Sequence, residues 1–435
     1  MNAAAITLSP TRASVRAAST WSAAITKPAD RCRIVVTIST ETTRRWTRCR
    51  RSMSRGSGAL RGALGSIRWR RREVPAPLEL PGPVGGVWVT RPGYPVEPAG
   101  PAPHAAPMEI HPFGPDDTAA LAAWTDVFNA TLDADAPWER RMTPARAAAQ
   151  WRHGWDGEPG TPYLARVGDQ VVGWSSIGTS EYDNRHLAWL ELGVHPDHRR
   201  RGHGSALIAA LEAEARRRGR TSIAISAWES PAADAFARAH RLEPKSAEIN
   251  RRQVLAEIDW AALDQRYDEA LPHAADYVLE RRLAPTPDDE LAALGVMAEA
   301  INDAPIDDLD YEDEVYPAER MRAYETAVEA HGEDLYRVVA RHVPTGAFAA
   351  QTVVAVARDE PAWGDQHDTS VTRDHRGHRL GLLLKTDMLR WLREAAPDLA
   401  TINTWNAESN DRMIEVNEVL AYRVLGRVWT YQRPC

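Results

Sequence analysis

The chain has 435 residues, 43% of them hydrophobic, and a formal net charge of −7, enough for two or three domains with cores of their own. The charge is uneven: residues 1–107 hold 16 Arg and one Lys against five acidic residues, which leaves the remainder at −19. Three cysteines (Cys32, Cys49, Cys435) and no apolar run of about 18 residues argue against a disulfide framework, a thiol nucleophile and a membrane span.

Residues 1–107 show no sustained periodicity. They contain ETTRRWTRCRRSMSRGSG and a proline-rich run from Pro75 to Pro107, and read as a disordered leader. The Arg- and Ser-rich, acid-poor first 60 residues also suit a transit peptide. The arginine runs suit nonspecific nucleic-acid binding, which the acidic body argues against. Met108 is a second candidate start.

From Met108 the pattern becomes regular. Met108–Phe113 reads as an edge strand, and Asp116 or Asp117 caps a helix through Leu121, Trp124 and Phe128. Thr143–Pro144 opens a second helix, with proline at its first position. Tyr163–Val167, Gly168–Asp169 and Gln170–Ser176 read as a hairpin. Leu187–Val194 gives a buried strand. Leu207, Leu211 and Ala215 mark the inner face of a helix that ends at Arg216–Arg218 and Gly219. A strand (Thr221–Ala227), a helix through Ala233, Phe236 and His240, and a strand near Ile249–Leu255 complete a unit over residues 108–262.

Between Val194 and the third helix lie Arg199, Arg200, Arg201, Gly202, His203, Gly204 and Ser205. A helix N-terminus offers unpaired N–H groups and about half a positive charge. Glycine lets the backbone close round an anion, and arginine adds forked donors. The expected ligand is a phosphate or pyrophosphate. A dinucleotide fold is excluded by Leu207, which stands where G-x-G-x-x-G needs its third glycine, and a Walker A loop by the absent Gly-Lys-Ser/Thr.

The order β-α-α-β-β-β-α-β-α-β, with Val194-x-Pro196-x-x-Arg199-x-x-Gly202-x-Gly204 after the fourth strand, resembles the GNAT superfamily of acyl-CoA-dependent N-acyltransferases. The resemblance implies an α/β fold of the α+β type, a mixed central sheet flanked by helices. It implies acetyl-CoA as co-substrate, no metal, and a cytoplasmic setting. It further implies that the loop amides hold the CoA pyrophosphate and that the pantetheine arm pairs with the strand end at Leu192 and Val194.

The pattern then repeats over residues 276–435. Asp374-His375-Arg376-Gly377-His378-Arg379-Leu380-Gly381 echoes Asp197 to Gly204 at an offset of 177, and Thr401–Trp405 echoes Ala224–Trp228 at the same offset. The copy begins with a strand at Tyr277–Arg281. Helices near Asp289–Ile301 and Ala318–His331 and strands at Leu335–Arg341 and Ala347–Val356 follow. Two tandem GNAT folds are therefore expected, as in tandem proteins of the mycothiol synthase type, which have one working half. In the second copy the CoA-binding candidates are Val371, Arg376, Gly377, Arg379 and Gly381, with Arg379 in place of the middle glycine. The intact loop points to the first half as the active one.

Asn302–Glu314 holds seven acidic residues in thirteen. It lacks the glycine and spacing of a calcium loop, and reads as a solvated acidic loop or a lid that attracts a cationic substrate.

Acyl transfer to an amine needs a neutral nitrogen, and a free alkylamine titrates at about 10.4, so a base must assist. Glu191, on the alternate face of the strand three residues before Val194, is the candidate base, and Asp368 is its counterpart at the same offset. The tyrosine that the family's fourth helix often carries as acid is replaced by Ala237 and Asn417, which leaves His240 as a substitute. The expected function is N-acetylation of a primary amine on a small molecule or peptide, with no nucleic-acid or membrane partner. A non-catalytic acyl-CoA-binding protein is the alternative.

Overall fold

The computed structural model describes residues 107–435, so the expectations for the leader lie outside the described residues. The first half runs β1 (Met108–Pro112), α1 (Thr118–Asp135), α2 (Pro144–His153), β2 (Thr161–Val167), β3 (Gln170–Gly178), β4 (Leu187–Val194), α3 (His203–Arg217), β5 (Ser222–Trp228), α4 (Pro231–Ala239) and β6 (Glu243–Val254). A helix that the sequence reading did not anticipate, α5 (Trp260–Ala270), joins the halves. The second half repeats the order with β7 (Tyr277–Leu283), α6 (Asp288–Ala298), α7 (Ala318–Ala330), β8 (Glu333–His342), β9 (Phe348–Ala357), β10 (Trp363–Val371), α8 (Leu380–Ala395), β11 (Thr401–Ala407), α9 (Asp411–Val419) and β12 (Arg423–Pro434).

Local chemistry sets the helix starts. Asp117 accepts from the Ala120 amide at 2.9 Å, and Thr143 caps α2 ahead of Pro144. Facing inward on α3, Leu207, Ile208, Leu211 and Ala215 are almost fully buried, each leucine contributing about 1.5–3 kcal/mol. Every residue of β9 is buried, because helices cover both its faces.

Twelve strands form a single sheet in the order β1-β2-β3-β4-β5-β12-β6-β11-β10-β9-β8-β7. Two separate sheets were expected. Instead, the closing strands cross over: β12 pairs with β5 of the first half, and β6 pairs with β11 of the second. The pair β6–β12 forms the seam. The sequence could not show this, since an alternating strand reads alike whichever neighbour it takes.

The seam makes the halves interdependent. Deleting residues 423–435 is expected to abolish cooperative thermal unfolding of the whole chain, because it strips one of the two sheet neighbours from both β5 and β6. A surviving transition for the first half alone, seen by calorimetry, would contradict this.

Candidate active site

In the first half, β4 pairs in parallel with β5 over Leu187–Leu190 and parts from it beyond. Leu192 and Val194 lie on the parted end, packed against the cluster around Leu207. The loop that follows is braced internally. Arg199 donates through Nε to the Val194 carbonyl (3.1 Å) and bidentately to Asp135 (2.9 and 2.7 Å), while Arg201 donates to the Asp197 carbonyl at 2.9 Å. These two guanidiniums, expected on the ligand, brace the loop. Arg200 and Gly202 take left-handed φ of 64° and 88°, and Gly202 leads into α3 without a side-chain cap, so its first amides stay open. His203, pushed below the usual histidine range by burial and by its neighbours His198 and Arg201, is the first residue of α3.

Gly202 itself is exposed with open space at its Cβ position, while one residue into the helix α4 packs closely. A Cβ on Gly204 would meet the Phe236 ring at 3.0 Å, so the phenyl lies directly over the first turn. Ser205 bonds His240 at 3.0 Å, and His240 stacks on Phe236 at 4.5 Å, which closes the gap between α3 and α4. Glu191 is exposed and accepts from Ser176 Oγ at 2.7 Å.

In the second half the same loop keeps the same backbone. Gly377 and Arg379 take φ of 87° and 57° where Arg200 and Gly202 stand in the first. The left-handed pair is thus preserved, with glycine and arginine exchanged between its two positions. Arg379 adopts the strained region at about 1–2 kcal/mol and leads into α8 as Gly202 leads into α3. Arg376 repeats Arg199, donating to the Val371 carbonyl at 3.1 Å and to Asp303 at 2.6 Å. Here the helix start is open. A Cβ on Gly381 would meet nothing within 4 Å, and α9 carries Val416 at the turn matching Phe236.

A cleft of about 790 Å³ begins at this loop, passes the parting of β10 from β11 beyond Asp365, and continues under residues 300–314 to Trp189 and Glu248 of the first half. The acidic segment is therefore a roof over the cleft. It is pinned by Asn184, which bonds the Glu312 amide at 2.7 Å, and by Gln432, which bonds the Asp310 amide at 2.8 Å. Burial raises the Glu248 carboxyl above the usual range.

β10 carries a bulge between Gln366 and Thr369, at the level of Glu191 in β4. Its residues His367 and Asp368 line the cleft and also a smaller cavity of about 180 Å³ beside Trp155, Tyr316 and Tyr324. Asp368 accepts on Oδ2 from Gln351 (2.6 Å) and Ser370 (2.9 Å), while Oδ1 is buried with no hydrogen-bond partner. Burial lifts its pKa above the carboxylate range. His367 shares a 2.7 Å hydrogen bond with the Tyr324 hydroxyl, and burial, with His331 and Arg337 nearby, pushes its pKa down to about 4. The arrangement offers an anion cradle, an open strand edge and a carboxylate oxygen along one cleft.

Sequence reasoning singled out both loops and Asp368, and Asp368 and the second loop lie along this cleft. It missed His367 and Tyr324, whose meeting depends on α7 packing over the bulge. Among the described residues, no group of three or more His, Cys, Asp or Glu is placed to hold a metal ion, and no helix is long and apolar enough to cross a membrane.

Residues 123–240 match the Acetyltransferase (GNAT) family. A mycothiol acetyltransferase of Parafrankia sp. (strain EAN1pec) is 28% identical over 295 residues, covering 62% of this chain and 82% of the relative. A mycothiol acetyltransferase of Stackebrandtia nassauensis is 44% identical over 62 residues, covering 14% of this chain and 19% of the relative. Among solved structures, a tandem GNAT protein from the clavulanic acid biosynthesis pathway superposes with a TM-score of 0.62 at 26% identity, over 75% of this chain and 98% of that one. A GCN5-related N-acetyltransferase from Sphaerobacter thermophilus shares the fold, with a TM-score of 0.54 at 15% identity over 76% of this chain and 96% of that one.

Proposed function

We propose that this chain, which carries a GNAT acetyltransferase domain and a second copy of the fold, moves an acetyl group from acetyl-CoA to the primary amine of a cationic acceptor. The reading places the transfer in the second half. The observation that carries it is the continuous cleft from the Gly377–Gly381 loop to Asp368, set against a first half in which Phe236 and the Ser205–His240 bond bring α4 onto the first turn of α3. Open amides at the start of α8 suit the pyrophosphate. The β10 edge beyond Asp365 suits the pantetheine arm and supplies an N–H for the oxyanion. Asp368 Oδ1 takes the proton of the attacking amine. Glu312, Asp313 and Glu314 in the roof draw in an ammonium, which the −19 charge of the body favours at long range. The first half serves as the far wall of the acceptor chamber, through Trp189 and Glu248. With acetyl-CoA as donor, the working compartment is the cytoplasm.

A second reading keeps the transfer in the first half at Glu191, and rests on Gly202 and Gly204 of its loop and on the family match there. A third, acyl-CoA binding without catalysis, rests on the absence of the family tyrosine from both halves. Full-length protein is mixed with acetyl-CoA and a panel of primary amines, and released thiol is followed. A mycothiol-type amine joins the panel because the Parafrankia relative bears that name. Release at least tenfold above buffer with a cationic amine is the expected result. Acetyl-CoA binding with no release from any amine would favour the binding module, and absence of binding would end the acetyl-CoA reading.

A further inference from the structure

Lys385 stands in the apolar stripe of α8, between Gly381 and Met388, where the first half carries Ile208. It is 3% exposed, yet it lines the cleft. Its Nζ donates to Asn417 Oδ1 at 3.0 Å and sits 4.9 Å from the centre of the Tyr422 ring. Asn417 in turn is fully buried on α9, at the position where the family resemblance puts an acid. An ammonium in an apolar wall is costly where an isoleucine suffices, so its presence calls for a use.

Position suggests the use. From the cradle, α8 runs back along β10, so Lys385 lies one turn, about 6 Å, past Gly381, beside the bulge rather than beside the pyrophosphate site. Asp368 is the charged group that faces it, from β10; α9 presents the neutral Asn417, the segment before β12 presents the Tyr422 ring, and on its own helix Asp387 is taken by Arg281. A thioester reaching down this cleft to Asp368 brings its sulfur to the same level.

We propose that Lys385 is the catalytic acid that protonates the departing sulfur, an assignment that rests on the acetyl-CoA reading of the cleft. The amine nitrogen bonds the carbonyl carbon and its proton passes to Asp368. The carbon–sulfur bond then breaks with its electron pair on sulfur, and sulfur takes a proton from Nζ. The neutral lysine regains a proton from solvent while Asp368 releases one, so amine and thioester become amide and thiol. Burial holds Lys385 at about 7. An acid near neutrality, far below the ordinary lysine value of about 10.4, can both give its proton to sulfur and regain it from solvent. Asn417 aims the amine by accepting one of its hydrogens.

The test uses full-length protein, CoA, and the variants Lys385→Met and Lys385→Arg. In wild type, the thiolate absorbance of bound CoA should appear at least one pH unit lower than for free CoA, and Lys385→Met should return it to the free value. Lys385→Arg keeps the charge but cannot give up a proton near neutrality. It should therefore preserve the lowered thiol titration while kcat falls about 100-fold and KM for acetyl-CoA stays within threefold. The alkaline fall in kcat, present in wild type as Lys385 loses its proton, should vanish in Lys385→Arg. CoA that binds Lys385→Met with an unchanged thiol titration and unchanged kcat would overturn the role of Lys385 alone. CoA that fails to bind even the wild type would overturn the reading of the cleft, and this role with it.

Discussion

Gly381→Asp should weaken acetyl-CoA binding at least 100-fold while leaving the protein as stable as before. Gly381 is the second residue of α8, and a side chain there meets nothing within 4 Å, so the variant folds without a clash. An aspartate at this position also helps the helix, since a carboxylate in the first turn contributes about 0.3–1 kcal/mol. The same carboxylate, however, takes the place of the pyrophosphate and repels it. A 100-fold loss corresponds to about 2.8 kcal/mol, within reach of one buried like charge. Gly202→Asp is the matched variant in the first half. Its left-handed φ of 88° imposes about 1–2 kcal/mol of strain, so its melting temperature falls, yet acetyl-CoA affinity and thiol release should stay within threefold. Titration calorimetry with acetyl-CoA separates the two. If Gly202→Asp loses the affinity and Gly381→Asp keeps it, the first half is the donor site.

The sequence made the repeat legible because a cradle for pyrophosphate is written in local residues. Strand, basic turn and helix start recur at 177, and backbone conformation follows them. Which copy has room for a ligand is decided further away. Phe236 and Val416 occupy matching turns of α4 and α9, and the phenyl reaches Gly204 while nothing lies within 4 Å of a Cβ on Gly381. Arg379 weighed against the second copy in the sequence, because a side chain in place of the middle glycine can crowd the pyrophosphate, although its guanidinium can also bind it. Arg200 takes the same conformation in the first copy, so the loop tolerates arginine at either left-handed position. The crossing of β6 and β12 was not legible, because each strand alternates in the same way beside either neighbour. Lys385 did leave a signal: a lysine in a stripe otherwise made of Gly381, Met388 and Leu392, set against Ile208 in the copy.

Asp368→Asn should lower kcat by at least 100-fold and raise the melting temperature. Both effects follow from one cause. The carboxyl is buried, with Oδ2 held by Gln351 and Ser370 and Oδ1 without a partner, so the charged form lacks the solvation it has in the unfolded chain. Its folded pKa therefore lies above the unfolded value of about 3.9. Between those two values the folded protein binds the extra proton, so stability declines as pH rises through the window, and above it the full penalty of a buried charge remains. Asparagine removes that penalty at pH 7 while preserving the shape and the acceptor toward Gln351 and Ser370. The same substitution removes the base. A general base contributes about 10²–10⁴ in rate, and the amide has no proton affinity to replace it. In wild type, kcat should rise with pH as Asp368 ionises and fall again as Lys385 loses its proton; in Asp368→Asn the acidic limb should be gone. Thermal melts at pH 4 and pH 7 complete the measurement, the gain over wild type being larger at pH 7. A variant that is inactive but also less stable at pH 7 would mark Asp368 as a structural anchor of the bulge, and the base would then have to be sought at His367.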